Sequence, residues 1–389
     1  MQAKNLLVIT NNFPDKENKY VGNVFVKEQV KYLKDYFENV YVVSPAACGI
    51  EYLRKTKHED YQFGNVHVYF PKYINLPLFY FYGRGFWVYL EKRAILKLIK
   101  KEKIKFDLIH AHFTWPSGAV AVVFKKEFKV PVVITEHTSV TFKKVIDKKD
   151  SEYIKAWKLC NAIIRVRKND IHFFDSVGIP LDKVHCIPNG YDCKKFAKLD
   201  EQMCREKLNL PLDKKIILNV GNLYTEVKGH KYLIEAMCEV VKHRRDVLCI
   251  IVGGGKLKGK REKQIKKAGL GDYVKLAGGR PHAEIPLWMN ACDVFALPSL
   301  NEGNPTVMFE ALGCAKPFVG TKVGGIPEII TSEDYGLLVK PATPKDLAEK
   351  ILTALDKEWD REKILEYAKW FTWERIAKEV LKVYERLLM

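Results

Sequence analysis

Several common signals are missing from this chain of 389 residues. It has no C-x-x-C pair, and Cys186, Cys193 and Cys204 lack the spacing of metal ligands. There is no D-x-D sequence, so we predict no obligatory metal. The glycines after Val252 are followed next by Gly259, so the G-x-G-x-x-G pattern of dinucleotide binding is not met and we expect no bound cofactor.

Signals for export and membrane insertion are missing as well. The chain runs from Met1 directly into a short strand pattern, which argues against a signal peptide. No apolar run approaches the roughly 18 residues that a spanning helix needs. Most cysteines have apolar neighbours, as Cys249 does, and this favours small core residues in a reducing compartment. We therefore expect a cytoplasmic protein.

The composition is that of a globular protein, with 47% hydrophobic and 29% charged residues. The length exceeds the usual size of one hydrophobic core, so it predicts two domains. The formal net charge of +18 is compatible with nucleic acid, an anionic membrane or a phosphorylated substrate as partner. A solvated basic surface explains the same charge without any partner.

The first half of the chain has the pattern of a parallel α/β sheet. An apolar strand at residues 6–10 is followed by a polar loop that ends at Gly22, a helical pattern from Val24 and a second strand at residues 40–44. Ligands bind such sheets at the carboxyl ends of the strands. Gly22 would let a backbone N–H group approach a ligand there, although an ordinary turn glycine is an equal alternative.

Histidines stand at the ends of two further strands. One strand pattern ends at His110 and His112, and the next, at residues 130–135, leads to His137. Carboxyl ends of parallel strands meet at one edge of a sheet. We therefore take His137 as a candidate for the active site.

A segment at residues 73–87 is unusually aromatic and precedes a helix pattern rich in lysine. Aromatic side chains beside a basic amphipathic helix are typical of a membrane interface, where a lipid-linked acceptor would dock. A core helix with a solvated lysine face is the alternative.

The second half repeats the strand and loop pattern from residue 215 and places Lys228 just before a helix, where an ammonium group could meet a diphosphate. Later, a buried strand leads to Glu302, a predicted helix start with Asn304 as cap and Pro305 as first helical residue, and then Glu310. Free N–H groups at a helix start bind phosphate, and carboxylates accept hydrogen bonds from hydroxyls. The stretch predicts a binder of a nucleoside diphosphate joined to a hydroxyl-rich group.

In this order the motifs resemble those of retaining glycosyltransferases of the GT-B fold, family 4. The motifs are the glycine loop near the start, Ile-Pro-Asn-Gly at 187–190, Lys-Gly at 228–229, the Glu302-x7-Glu310 pair and Gly-Gly-Ile-Pro-Glu at 324–328. The resemblance implies an α/β fold with two doubly wound Rossmann-like domains facing a cleft. An N-terminal acceptor-binding domain would span 1–192 and be joined by a returning helix at 371–389. A C-terminal nucleotide-sugar-binding domain would span 193–370.

The resemblance also implies roles for single residues. Glu310 would hold the ribose hydroxyls, Lys228 the diphosphate, and Glu302 and His137 the region of the donor sugar. The implied catalytic residues are His137, Glu302 and Lys228. The implied donor-binding residues are Gly22, Asn222, Lys228, Arg280, Glu302, Gly303, Asn304, Pro305, Thr306, Val307 and Glu310.

Two positions depart from the family pattern. Asn222 stands where many members have arginine, which leaves Lys228 as the main charge on the diphosphate unless Arg165 or Arg167 substitutes. The first loop also has one glycine, Gly22, where many members have two.

The expected activity is transfer of a sugar from a nucleoside diphosphate to an acceptor hydroxyl with retention. The expected partners are the nucleotide sugar, an acceptor glycan or lipid-linked acceptor, and an anionic membrane surface on which the protein would be peripheral; we expect no nucleic acid. The alternatives are a nucleotide-sugar epimerase on the same fold and a non-enzymatic basic binding protein.

Overall fold

The computed structural model describes residues 4–16, 22–48, 58–75, 79 and 82–389. The chain folds into two compact units. Unit 1 comprises Met1–Pro188 and Trp373–Met389, and unit 2 comprises Asn189–Thr372. The chain therefore leaves unit 1 after Pro188 and returns to it at Trp373, where the sequence predicted boundaries at 192 and 371.

Unit 1 is built from strands and helices that alternate along much of the chain. Its strands are β1 (Asn5–Ile9), β2 (Asn39–Val43), β3 (Ala46–Cys48), β4 (Tyr61–Phe63), β5 (Val66–Tyr69), β6 (Lys72–Ile74), β7 (Leu108–His112), β8 (Val132–Glu136), β9 (Ala162–Arg165) and β10 (Val184–Cys186). Its helices are α1 (Val24–Leu33), α2 (Arg84–Lys101), α3 (Ala119–Phe128), α4 (Val140–Lys148), α5 (Ser151–Leu159), α6 (Ile171–Asp175) and, from the end of the chain, Trp373–Leu388.

Eight of the described strands of unit 1 form one large sheet in the order β10-β9-β8-β7-β1-β2-β5-β4. The β4–β5 pair is antiparallel and the other pairs are parallel. A separate parallel pair joins β3 to β6. Strand β1 is a switch point, because the chain proceeds to β2 on one side and to β7 on the other. Ligand sites of such sheets lie at the carboxyl ends beside the switch point.

The sheet of unit 1 is covered on both faces. Leu6 and Val8 of β1 belong to one apolar core, and Leu7 and Ile9 belong to the other. Successive side chains of a strand point to opposite faces, which is why this strand is apolar throughout. The C-terminal helix packs into the first core, where it buries Trp373 and Tyr384.

Unit 2 repeats this architecture with a smaller sheet. Its strands are β11 (Lys215–Val220), β12 (Val247–Val252), β13 (Val274–Gly278), β14 (Val294–Leu297), β15 (Phe318–Thr321) and β16 (Gly336–Val339). Its helices are α7 (Glu201–Lys207), α8 (His230–His243), α9 (Lys258–Lys267), α10 (Ile285–Ala291), α11 (Thr306–Gly313), α12 (Ile326–Ile329), α13 (Pro344–Asp356) and α14 (Arg361–Ala368); the C-terminal helix of unit 1 is then α15.

The strand order in unit 2 is β13-β12-β11-β14-β15-β16, and every pair is parallel. Strand β11 is the switch point, with β12 on one side and β14 on the other. Two apolar cores cover the two faces, and Cys249 of β12 is buried in one of them, as predicted. The α/β class with doubly wound parallel sheets is confirmed for both units.

Over the residues described here, no helix combines the length and the apolar character needed to cross a membrane.

Candidate functional site

The loops at the carboxyl end of the unit 2 sheet are tied to one another through their backbones. The loop after β11 donates from Leu223 N–H to Gly254 O (2.8 Å), after β12. The loop after β14 donates from Leu300 N–H to Val227 O (2.7 Å) and accepts at Gly303 O from Gly325 N–H (2.8 Å). Four strand ends therefore form one platform on both sides of the switch point, which is where an α/β sheet binds ligands.

Two glycines make this platform possible. Gly229 has φ +70° and Gly324 has φ +58°, a region that side chains rarely adopt. A Cβ atom at Gly229 would lie 1.9 Å from Pro298 O, and one at Gly324 would lie 1.8 Å from Glu302 O. At Gly229 the backbone beside Lys228 therefore packs against the loop after β14. At Gly324 the loop after β15 packs against the backbone of Glu302.

An ion pair spans the switch point. Lys228 Nζ lies 2.9 Å from Glu302 Oε1 and 3.2 Å from Oε2, so both carboxylate oxygens hold the ammonium. The hydroxyl of Ser299 donates to Glu302 Oε1 over 2.6 Å. Glu302 and Ser299 are buried, while Lys228 keeps about a quarter of its side chain exposed. The positive group predicted for a diphosphate is thus paired with the carboxylate predicted for the sugar.

Other basic groups near Lys228 are neutral or already paired. His230 is buried, and burial, together with the charges of Arg261 and Lys228, lowers its pKa to about 4. Arg261 donates to both oxygens of Glu226 at 2.8 Å. Asn222 is exposed, and its side-chain oxygen accepts from Tyr224 N–H at 3.4 Å. Lys228 is therefore the cation that this loop brings to Glu302.

The predicted start of the helix after Glu302 is wrong in two respects. Pro305 is not helical but lies before the first helical residue, Thr306, with an extended backbone (φ −72°, ψ 119°). Asn304 makes no capping bond to α11. Its side-chain oxygen instead accepts from Asn189 N–H at 2.7 Å, and the Asn189 amide donates to Asn304 O at 2.8 Å. These two hydrogen bonds with Asn189 fix the loop, and they hold the side-chain oxygen of Asn304 at Asn189 instead of at the start of α11.

Two backbone N–H groups stand at the start of α11. The first bond inside α11 runs from Met308 N–H to Pro305 O (3.2 Å). The N–H groups of Thr306 and Val307 precede that bond, so they belong to the orphan donors of a helix N-terminus. Glu302 lies just before these donors, and Glu310 follows one turn into the helix.

Glu310 and Arg280 lie on a further part of the unit 2 edge. Glu310 is buried, and its Oε1 lies 3.4 Å from His282 Nε2. Arg280 is exposed, with its guanidinium 5.5 Å from the centre of the Trp288 ring. Helix α10 begins at Ile285. His282 therefore stands in the loop before α10, where its imidazole reaches the carboxylate of Glu310.

In unit 1, the ends of β7 and β8 bring the predicted histidines together. His112 Nδ1 lies 3.0 Å from His137 Nε2, and the two rings stack with their centres 5.3 Å apart. The rings of His110 and His112 are tilted against each other with their centres 4.3 Å apart, and His110 Nδ1 forms a 2.5 Å hydrogen bond with Tyr384 of α15. His137 is also flanked by the rings of Phe25 and Phe113.

A buried carboxylate fixes the loop that carries His137. Glu136 accepts from Thr114 N–H at 3.1 Å and from Thr138 N–H at 2.7 Å, so it links the turns after β7 and β8. Arg165 donates to Glu136 O at 2.6 Å and forms an ion pair with Asp170 at 2.5 Å. Arg165 is fully buried in this pair. The expectation that it could replace the missing cation of the diphosphate site is therefore wrong, because its guanidinium is already satisfied inside unit 1.

Other predicted positions of unit 1 are described in part. Gly22 lies just before α1, where its carbonyl accepts from Val24 N–H (2.9 Å), and residues 17–21 of the same loop lie outside the described residues. Arg167 donates to Ser139 Oγ at 3.2 Å. In the aromatic segment, residues 76–78, 80 and 81 also lie outside the described part.

The lysine-rich helix α2 has both a buried apolar face and exposed aromatic residues. Helix α2 buries Glu91, Ile95 and Ile99, while Phe86 and Tyr89 are about half exposed. It is thus a core helix with a lysine-rich outer face and an aromatic first turn.

Four contributors to these sites were missed in the sequence. They are Asn189, Glu136, Ser299 and His282. Asn189 lies in the Ile-Pro-Asn-Gly motif, and Glu136 is the last residue of β8. A polar residue at the carboxyl end of a buried strand was the available signal for Glu136 and Ser299. The partners of Asn189 and His282 are distant in sequence, at Asn304 and Glu310, so no local pattern identifies them.

Two protein-family models match the chain and together span most of it. The model described as Glycosyltransferase Family 4 matches residues 22–195. The model described as Glycosyl transferases group 1 matches residues 200–370. The first match lies almost entirely in unit 1 and the second lies in unit 2.

Individual proteins give the same result. An uncharacterised glycosyltransferase of Methanocaldococcus jannaschii is 30% identical over 309 residues, which are 75% of this chain and 78% of that protein. Sucrose-phosphate synthase of Thermosynechococcus elongatus has a similar structure, with a TM-score of 0.80, 22% identity and coverage of 99% of both chains. HepE of Anabaena, solved with UDP, gives a TM-score of 0.75 and 21% identity, with coverage of 99% of this chain and 100% of that one. At these identities the two solved structures establish the fold alone.

The two doubly wound units, with glycine-lined loops at the strand ends, define the GT-B class of fold. The chain belongs to the group 1 glycosyltransferases, and it is a transferase enzyme of class EC 2.4. The family, fold and enzyme class expected from the motifs are thereby confirmed.

Proposed function

We propose that this enzyme transfers a sugar from a nucleoside diphosphate sugar to an acceptor hydroxyl, with retention at the anomeric carbon. The observation that carries the proposal is the Lys228–Glu302 pair beside the N-terminus of α11, at the switch point of unit 2. One cation and a set of backbone N–H groups suit a diphosphate. Two buried carboxylates, Glu302 and Glu310, suit hydroxyl groups. HepE, which shares the fold, was solved with UDP.

In this proposal each group has one task. Lys228 and the N–H groups of Thr306 and Val307 stabilise the negative charge that develops on the leaving diphosphate. Glu310, next to His282, accepts hydrogen bonds from the ribose hydroxyls. Glu302 leaves its pair with Lys228 when phosphate oxygens take its place, and then accepts from hydroxyls of the sugar. Arg280, over Trp288, lies beside the base.

The Lys228–Glu302 pair also supports a specific order of events. An ammonium with two carboxylate contacts is neutralised until a stronger anion arrives. A diphosphate carries more charge than one carboxylate, so it displaces Glu302. The carboxylate is then released next to the sugar that the same ligand brings. Binding of the donor would thereby prepare its own sugar site.

Unit 1 contributes His137 and the acceptor surface in this proposal. The first two turns of α2 expose Phe86 and Tyr89, and Tyr82 and Ile74, nearby in sequence, are also exposed. The same helix carries Arg93, Lys97, Lys100 and Lys101. Exposed aromatic rings next to lysines bind anionic lipid surfaces, so we propose a lipid-linked acceptor and peripheral membrane association.

Donor screening tests the central claim. We expect UDP, GDP or ADP, each tested alone and as its glucose or mannose conjugate, to raise the melting temperature of the full chain. We then expect turnover to a glycoside whose anomeric configuration, followed by NMR, is that of the donor. EDTA should leave turnover unchanged, since Lys228 and backbone groups are proposed to meet the charge. If none of the nucleotides binds, the proposal is refuted. If the product is an epimerised nucleotide sugar and no glycoside forms, the enzyme is an epimerase and not a transferase.

The membrane part is tested separately. We expect the protein to float with vesicles that contain phosphatidylglycerol, and to remain at the bottom of the gradient with neutral phosphatidylcholine vesicles. Changing Phe86 and Tyr89 together to serine should abolish flotation without changing nucleotide binding. Equal behaviour with both vesicle types would exclude an anionic surface as partner.

A further inference from the structure

Strand β13 forms an open edge of the unit 2 sheet. It stands at one end of the strand order, and no other described strand pairs with its outer side. Strand β16 stands at the opposite end, but Leu337 and Val339 of that strand are almost completely buried. In β13, Lys275 is exposed and Leu276 is partly exposed. Because an open strand edge offers unpaired backbone groups, it is a surface on which another strand can pair.

The hydrogen bonds of β13 show which of its backbone groups face outward. Cys249 N–H of β12 donates to Tyr273 O at 2.8 Å, and Cys249 lies opposite Val274. Along a parallel strand, alternate residues direct their backbone groups to the same neighbour. Val274 and Leu276 therefore direct theirs away from β12. Val274 N–H donates to Leu270 O at 2.9 Å, which leaves the C=O group of Val274 and both backbone groups of Leu276 on the open side.

A groove of about 420 Å³ lies beside these groups, between β13 and α9. It is lined by Ile265 and Lys266 of α9, Gly269 and Gly271 of the following turn, and Val274 and Leu276 of β13. The three aliphatic side chains are continuous with the apolar core on this face of the sheet. A Cβ atom added at Gly269 or Gly271 would have no described neighbour within 4 Å. The groove is therefore an apolar slot that is open where the chain turns from α9 to β13.

The helix and the strand that form the groove carry an excess of positive charge. From residue 258 to residue 278, six lysines and two carboxylates are exposed. Lys258 and Lys260 form ion pairs, with Glu262 at 3.7 Å and with Glu226 at 2.8 Å. The other four lysines have no ionic partner among the described residues, and they are Lys263, Lys266, Lys267 and Lys275. Unpaired cations around an apolar slot favour a ligand that has both apolar side chains and carboxylates.

The lysine on the strand itself leaves the groove free. Successive side chains of a strand point to opposite faces, and Val274 and Leu276 pack on the same face as α9, so Lys275 points to the other face. Two copies of this chain that paired along β13 would bring their lysines together, and like charges on paired strands repel. A flat lipid surface would meet the lysines but not the backbone groups of Leu276. An extended acidic peptide meets the lysines, the slot and the backbone groups together.

We infer that β13 and its groove bind an extended, acidic peptide segment of a partner protein, which adds one strand to the sheet of unit 2. The peptide backbone exchanges hydrogen bonds with Leu276, as in other cases of strand addition. An apolar side chain of the peptide lies in the groove against Ile265, and its carboxylates meet Lys263 and Lys266. This surface is two strands away from the switch strand β11, so the inference does not depend on the proposed function.

Labelled synthetic peptides test the inference on the full chain by fluorescence anisotropy. The probe is a short peptide in which valine and glutamate alternate. One comparison peptide has lysine in place of glutamate, and another has the same sequence with N-methylated backbone groups. We expect the probe to bind, and both comparison peptides to bind at least about tenfold more weakly, because one loses the charge and the other loses several hydrogen bonds. If the probe does not bind, or if the methylated peptide binds as tightly, the inference is overturned.

Variants of the protein locate the binding to the edge of β13. Leu276→Pro removes an outward N–H group, and proline is tolerated in edge strands; it should weaken binding of the probe about three- to tenfold. Lys263→Glu combined with Lys266→Glu should weaken it at least about tenfold. Lys340→Glu is the control, because Lys340 is exposed directly after β16, at the opposite end of the sheet. Equal affinity of these variants overturns the inference, and their melting temperatures show whether each is folded.

Amide hydrogen exchange, followed by NMR, gives a second measurement that needs no variant. The bound probe should slow exchange of the Leu276 amide of the wild type at least about tenfold, because a new backbone hydrogen bond protects it. Exchange in β16 should not change. Unchanged exchange at Leu276 while the probe is bound overturns strand addition.

Two other occupants would give different results. If the probe does not bind, and flotation with phosphatidylglycerol vesicles depends on Lys263 and Lys266, the surface is a lipid contact. If sedimentation shows a dimer that Lys263→Glu with Lys266→Glu dissociates, the surface is a contact between copies of this chain. Either result overturns the inference. Absence of UDP binding, by contrast, would refute the proposed donor site and leave the role of β13 intact.

Discussion

At the scale of single residues, the Lys228–Glu302 pair determines how charge is distributed at the candidate donor site. The pair is mostly buried, and Glu302 accepts an added hydrogen bond from Ser299. Exposed ion pairs contribute about 0–1 kcal/mol to stability, and removal of one member matters more than the pair itself when the other stays buried. Loss of the Lys228 charge and loss of the Glu302 charge should therefore change the affinity for UDP in opposite directions.

We expect Lys228→Ala to weaken UDP binding by about 10- to 100-fold, because hydrogen bonds to a charged group contribute about 1.5–3 kcal/mol. Glu302→Gln should bind UDP as tightly as the wild type or a few times more tightly, because the ammonium no longer has to leave a carboxylate. Its turnover should nevertheless fall at least tenfold, about 1.4 kcal/mol, because a neutral amide oxygen accepts a hydrogen bond from a sugar hydroxyl more weakly than a carboxylate does. Calorimetric titration and donor consumption measure these two effects.

The matched control for this pair is Lys231→Ala, since Lys231 lies in the first turn of α8, three residues after Lys228, and its surface pair with Glu235 is 3.8 Å long. It should leave UDP affinity unchanged. If Glu302→Gln weakened UDP as strongly as Lys228→Ala does, Glu302 would be a direct ligand of the nucleotide and not a competitor for Lys228.

At the scale of elements, the site consists of loops, and their positions depend on backbone contact. Gly324 is a clear case, because it combines a positive φ with the approach of Glu302 O. Helix α15 is another element with a polar anchor, the buried bond between Tyr384 and His110.

Gly324→Ala should lower the free energy of unfolding by about 2–3 kcal/mol, since the new Cβ forces the backbone out of the left-handed region and away from Glu302 O. Gly259→Ala is the control: Gly259 lies in helix α9, and a Cβ atom added there would have no neighbour within 4 Å among the described residues. That change should be neutral or stabilising by up to about 1 kcal/mol. Urea unfolding checks both, and equal stability of the two variants would contradict the close contact.

Tyr384→Phe should destabilise α15 by about 1–3 kcal/mol, because the variant leaves a buried nitrogen of His110 unpaired. We expect faster amide hydrogen exchange in residues 373–388, with little change in unit 2. Tyr36→Phe, at an exposed tyrosine, is the control and should have no effect. Unchanged exchange in α15 would mean that its apolar contacts hold it without the hydroxyl.

At the scale of the whole molecule, a buried carboxyl links stability to pH. Glu91 of α2 is fully buried and accepts from Trp87 Nε1 at 3.1 Å. Burial raises its pKa to about 8, from an ordinary value of 4.5. Between these two values the folded protein holds one proton more than the unfolded chain. Stability from this group is therefore complete at low pH and is lost as the pH rises towards 8.

Comparison with Glu91→Gln isolates that contribution. Relative to the variant, the wild type should lose up to about 1.4 kcal/mol of unfolding free energy per pH unit between pH 5 and pH 8. The buried histidines act in the opposite direction but are common to both proteins, so they cancel in the difference. Glu127→Gln, which alters a surface pair with Lys92, is the control. Parallel stability profiles for the wild type and Glu91→Gln would show that Glu91 is ionised when folded.

Much of the fold could be predicted from local patterns. Continuous apolar runs, such as the one at β1, indicate strands covered on both faces, and helices follow where the spacing changes. Their alternation predicts parallel sheets and places Lys228, Glu302, His112 and His137 at strand ends. The helix start at Pro305 was misplaced because a cap pattern does not show which other group competes for the capping oxygen.

The sequence alone therefore determined the fold class, the family and the strand ends that carry the candidate site, because these follow from periodicity and from residue types at fixed spacing. Only the tertiary structure decided which side chains meet. Lys228 faces Glu302, Asn304 is held by Asn189, Arg165 is confined by Asp170, and His112 reaches His137. These partners are brought together by the packing of sheets and loops, and the spacing of residues along a chain does not encode the distance between atoms on different strands.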